Sequence, residues 1–197
     1  DPDSTSDRSI ITSFTTLNGV ELDVPLPVNL RVVDNGKDVS VDPAVNYVEL
    51  AFDKVTNIDW NNYVSRQGSE NYAYETYYDI YVNTRTDTDF RLLGTTENPV
   101  GDVLFTGADD PQSTSVRARI SQFAEPAEGD PPSEIYTLLG GKLLPNTTYY
   151  FKVRTRLVVR DRTSGIVVLS RESLDTAILP VTTIVLEISP PDDSMRK

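Results

Sequence analysis

Between residues 149 and 157 the chain alternates without a break. Tyr149, Phe151, Val153, Thr155 and Leu157 fall on one side of an extended backbone, and Tyr150, Lys152, Arg154 and Arg156 on the other. Successive side chains of a strand point to opposite faces, so the run predicts a strand with one buried and one solvated face. That is the habit of an antiparallel sheet covered on one side only. A helix would scatter the same residues around its whole circumference.

Shorter runs repeat the signal. Residues 28–33 alternate up to the turn Asp34-Asn35-Gly36. Val48, Leu50 and Phe52 share a face, as do Tyr78, Ile80 and Val82. Residues 90–93 and 115–120 read as strands, and residues 134–139 read as another leading into Gly140-Gly141. The turn Asp161-Arg162-Thr163-Ser164-Gly165 separates the long run from residues 166–169, and a last β-rich stretch covers 177–188. An isolated β-branched stretch, residues 9–16, precedes all of them. No helical stripe of ten residues interrupts the series. With 13 Pro and 10 Gly between short alternating runs, the pattern predicts an all-β sandwich.

Composition narrows the chemistry. The 197 residues contain no Cys and no His, which removes disulfides, thiol chemistry, a Ser-His-Asp triad, and His- or Cys-ligated metals. Thirty acids against 18 bases give a net charge of −12, so nucleic acid is not an expected partner. No apolar run approaches the length of a membrane-spanning helix. Residues 1–7 lack the cationic and apolar segments of a signal peptide, which leaves either a cytosolic protein or a mature piece of a secreted one.

One segment is more specific. Leu143-Leu144-Pro145-Asn146-Thr147-Thr148-Tyr149-Tyr150-Phe151-Lys152-Val153 resembles the Leu-x-Pro-x-Thr-x-Tyr-x-x-x-Val of fibronectin type III domains. The resemblance implies an immunoglobulin-like sandwich in which Leu143, Pro145 and Thr147 shape the turn between strands E and F. Tyr149 would close that turn with its hydroxyl, a tyrosine corner. Pro25, Pro27, Leu30 and Val32 resemble strand A, residues 48–52 strand B, residues 78–82 strand C and residues 180–183 strand G. Strand B of that family usually ends in a core Trp where this chain has Phe52. The family needs about 100 residues. The surplus is expected in two long insertions, 54–76 and 95–133, within a sandwich at 25–184, flanked by strand or linker segments at 1–24 and 185–197.

Candidate sites are few. The acids Asp87/Asp89, Asp109/Asp110 and Glu125/Glu128/Asp130 lie in turn-rich stretches, where carboxylates ordinarily cap the turn. Asp87, Asp89, Asp109 and Asp110 are the weak candidates for calcium, the one cofactor left open. Trp60, Tyr63, Tyr72 and Tyr74 make an aromatic cluster that could stack on a sugar or a protein, or could simply fold the 54–76 stretch onto the sandwich. Lys152, Arg154 and Arg156, with Arg160 and Arg162 beyond, form a basic strip opposite Asp79, Tyr77 and Tyr81. Cross-strand pairing is its ordinary explanation, and a stripe for an acidic partner the sharper one. Asn146-Thr147-Thr148 is a formal sequon that the corner motif already explains.

The expectation is therefore a non-catalytic extracellular or cell-surface module. It would serve as a spacer, adhesion or assembly unit of a bacterial surface, S-layer or filamentous protein, partnered by neighbouring domains or identical subunits. The alternative is an accessory module of a secreted enzyme that binds carbohydrate, such as a polysaccharide, or another surface protein.

Overall fold

The computed structural model describes residues 22–41, 43–61, 71–86, 89–97, 103–123, 128, 130, 131 and 133–185. The strands are β1 (Val28–Asp38), β2 (Val45–Asp53), β3 (Tyr72–Asn83), β4 (Arg91–Thr95), β5 (Val103–Thr106), β6 (Ser115–Ile120), β7 (Thr148–Asp161), β8 (Val167–Glu172) and β9 (Leu179–Thr182). A turn and a half of helix, α1 (Glu134–Leu139), lies between β6 and β7. They form two antiparallel sheets, one in the order β1-β2-β6-β5 and the other β4-β3-β7-β8, with β9 also paired to β7.

The sheets face each other through the predicted alternating residues. Val48, Leu50 and Phe52 of β2 and Val116, Ala118 and Ile120 of β6 meet Tyr78, Ile80 and Val82 of β3 and Phe151 and Val153 of β7, all of them buried. Phe52 occupies the centre with its ring tilted against Tyr78, centroids 5.1 Å apart. Each such apolar side chain contributes about 1.5–3 kcal/mol of burial.

The two sheets differ in length. The β3–β7 ladder runs unbroken from Tyr72↔Asp161 to Asn83↔Tyr150, whereas β2 and β6 pair only from Val48↔Ile120 to Asp53↔Ser115. The far half of the long sheet therefore overhangs the main core. A second apolar cluster covers it, built from Leu22, Val24, Leu157 and Val159 with Ile58, Trp60, Tyr72 and Leu169 against them. Leu22 and Val24 precede Pro25, in a stretch the sequence reads as strand or linker, yet they are 5% and 8% exposed.

Three expectations change. Residues 134–139 form α1 and not a strand. The Ser133 side chain caps it by accepting from Tyr136 N–H, Gly140 ends it in the left-handed region at φ 70°, and Ile135 and Leu139 bury one turn apart. Six residues cannot distinguish the two periods by apolar pattern alone. The stretch 54–76 is not all insertion, because Tyr72 and Tyr74 already belong to β3. The stretch 95–133 likewise carries β5 and the central strand β6, with Val103 and Phe105 paired to β6. Residues 9–16 and those after 185 lie outside the described residues.

Candidate functional site

The outer face of the long sheet gathers most of the chain's arranged charge. Strand register places Tyr81 opposite Lys152, Asp79 opposite Arg154 and Tyr77 opposite Arg156. Arg156 reaches diagonally to Asp79 at 2.8 Å and to Glu97 at 2.7 Å. Arg160 bridges Glu75 at 2.8 Å and Glu97 at 3.3 Å. Arg154 pairs with Asp175 and, at 2.9 Å, with Glu172; Lys152 meets Asp175 at 2.7 Å. Arg162 Nε donates to the Tyr72 carbonyl at 3.1 Å. The guanidinium of Arg156 lies 5.4 Å from the Tyr77 ring centre and that of Arg154 5.0 Å from Tyr81, while Lys152 Nζ is 4.4 Å from Phe90. The basic strip is thus matched by acids of its own sheet, Glu75, Asp79 and Glu172, and of the connections beside it, Glu97 and Asp175.

The electrostatics follow from these contacts. Hydrogen bonds to Asp79 and Asp175 hold the protons of Arg156 and Arg154 above the ordinary guanidinium range. Burial alone would push the Asp175 carboxyl up, but the hydrogen bonds and charges of Arg154 and Lys152 together outweigh it, and its pKa is lowered. Hydrogen bonds from Arg160 and Tyr77 lower Glu75. Burial raises Tyr77 and Tyr81, which stay protonated.

Asp175 reaches this face through a break in the edge strand. Between β8 and β9 the chain steps away from β7, and two hydroxyls replace the missing ladder acceptors. Thr155 N–H donates to Ser173 Oγ at 2.9 Å and Val153 N–H to Thr176 Oγ1 at 3.0 Å. Ser173 N–H and Thr176 N–H return bonds to the Thr155 and Val153 carbonyls. Ser173 and Thr176 are buried, so the residues between them are turned outward, with Leu174 79% exposed and Asp175 beside the cations. The sequence reading missed Glu97, Glu172 and Asp175. The visible signal was Ser-x-x-Thr opposite a strand already rich in Arg.

Of the aromatic candidates, Trp60, Tyr72 and Tyr74 come together and Tyr63 lies outside the described residues. The Trp60 and Tyr74 rings are 4.8 Å apart and tilted by 49°. Trp60 and Tyr72 pack against the second cluster, while Tyr74 is 38% exposed. Trp60 and Tyr72 thus help to cover the overhang.

The acids do not converge. Asp87 and Glu125 lie outside the described residues, and Asp89 stands just before β4. Asp110 caps its own turn, accepting from Gln112 N–H at 2.9 Å, and its carbonyl accepts from Lys54 Nζ at 2.7 Å. Asp109 is exposed beside it. Among the described residues no three carboxylates gather.

At the opposite pole, Tyr149 is buried and its hydroxyl accepts from Leu144 N–H at 2.9 Å; burial raises its pKa. Leu143 is buried beneath the turn. Thr147 Oγ1 donates to the Pro145 carbonyl, and Thr147 N–H donates to Thr183 Oγ1, each at 3.0 Å. Asn146 takes the turn at φ 49°. In comparisons with known proteins, the chain matches no family model, no curated protein and no solved structure.

Proposed function

We propose that this chain is a fibronectin type III-like, non-catalytic module of an extracellular surface or filamentous protein, acting as a spacer or assembly unit. The strand order supports the family reading. In the immunoglobulin-like scheme strands A, B, E and D form one sheet and C, F and G the other. Here β1, β2, β6 and β5 take the first set and β3, β7 and β8 the second, with β4 as C′ and β9 as the lower half of G. The hydroxyl of Tyr149 on Leu144 N–H has the geometry of the tyrosine corner.

The observation that carries the spacer reading is the path of the chain. Residue 22 packs beside Leu157 and Val159, near the end of β7. Residues 182–184 leave beside the start of β7, where Thr182 pairs with Thr148 and Ile184 O accepts from Asn146 N–H. Ten residues of strand separate the two, roughly 30 Å at about 3.3 Å per residue. A pull applied through these two points runs along the strands and loads many ladder hydrogen bonds together. The paired charges of the long sheet suit a solvated flank.

The reading is tested with antibodies against the folded chain, applied to intact and to permeabilised cells of the source organism. Labelling of intact cells is expected. Labelling that requires permeabilisation would overturn it.

A further inference from the structure

The covering of the overhang differs in kind from the main core. Residues 22–27 make no hydrogen bond among the described residues, although they lie within reach of the edge strand. Two of the six are prolines without an N–H. What holds the segment is the burial of Leu22 and Val24 against Leu157, Val159 and Leu169, with Pro27 buried at its other end. The ordering of an extended segment of six residues opposes that burial. The cover is not sealed either: a cleft of about 460 Å³ runs between it and residues 171–174, with Leu174 on its rim. The groove beneath thus binds an extended peptide with apolar residues two apart, and its fitted ligand is already present as part of the same chain.

We propose that this segment exchanges between two copies of the chain, each Leu22 and Val24 seating under the overhang of the other. The partner is a second copy because a segment from it makes the same contacts, so exchange sacrifices none of them. The hinge falls at Pro25 and Leu26, half-buried and exposed, just ahead of the buried Pro27, and Pro25 favours an extended path there. Segment and groove lie at the same pole, so reciprocal exchange closes a two-fold dimer joined end to end, and the pole bearing Tyr149 stays free. This inference rests on the assembly reading above and names its contact.

The test is light scattering behind size-exclusion chromatography on the full 197-residue chain. Samples are incubated warm over a wide concentration range, beside the Leu22→Asp/Val24→Asp double variant. A species of twice the mass of one chain is expected to grow with concentration and to dissociate slowly after dilution. In the double variant it should fall at least tenfold while a cooperative far-UV melt survives. The milder Leu22→Ala weakens the dock in the closed chain and in the dimer alike, so it should leave the equilibrium share of dimer near that of the parent, speed its exchange severalfold, and guard against loss of folding in the double variant. A chain that stays monomeric throughout overturns the exchange together with assembly from identical copies. A dimer undiminished in the double variant, or one whose rate of dissociation Leu22→Ala leaves unchanged, overturns the exchange alone and leaves the assembly reading standing.

Discussion

The two apolar clusters are built by different rules. In the main core, residues from both sheets interlock, and each is fixed twice, by its packing and by the ladder of its own strand. Val48, Leu50 and Phe52 cannot shift without moving β6 and β1 as well. Under the overhang only one wall, β3 with β7 and β8, is laddered. The other is the segment 22–27, held by its side chains, together with Trp60. Packing of equal chemical quality thus gives unequal stability, because register multiplies what burial supplies. The overhang should open as a unit before the sandwich does.

Substitutions can break or sharpen that contrast. The largest effect is expected in the main core. Phe151→Ala deletes a fully buried ring and should cost roughly 3–5 kcal/mol. Chemical denaturation followed by far-UV circular dichroism and by Trp60 fluorescence should lose both signals early and together. Next comes Tyr149→Phe, which leaves Leu144 N–H without its acceptor. A loss of about 1–3 kcal/mol is expected, without any preferential effect on Trp60. If Tyr149→Phe instead moved the fluorescence alone, the corner and the overhang would be one unit and the contrast would fail.

Smaller effects belong to the charged face. Asp175 has its pKa lowered in the fold. Its contribution is therefore complete above the unfolded value, about 3.9, and disappears as pH falls through the lower folded value. Glu75 behaves the same way. Asp175→Asn should lower stability by about 1 kcal/mol at neutral pH. The difference from the parent chain should close as pH falls below about 4. Melting temperatures measured from pH 7 down to pH 2 check both the size and the sign.

Much of the sandwich is written in alternation. The faces of residues 148–157 read directly because a strand with one wet side cannot hide its period, and Tyr78, Ile80 and Val82 read the same way. Other parts are silent for physical reasons. The upper half of β3, Tyr-Ala-Tyr-Glu-Thr-Tyr, puts aromatic and polar residues on both faces, since neither is covered by the opposite sheet. The strand β5 is four residues long, too short to show a period. Leu22 and Val24 sit among acids and prolines, and only the tertiary fold reveals what they cover. The charged face was half legible: Arg154, Arg156, Asp79, Tyr77 and Tyr81 follow from strand phase, but Asp175 depends on a break in the edge strand that no pattern of apolar residues marks.

Native-state hydrogen exchange on Leu22→Ala, resolved along β7, tests the contrast most directly. Removing that side chain costs about 2 kcal/mol of local burial, roughly a 30-fold change in opening. The amides of residues 157–160 should exchange faster by that order, and those of 150–153 should keep their parent rates. Equal acceleration along the whole of β7 would mean that the overhang and the sandwich unfold as one, and would contradict the two-region description of this molecule.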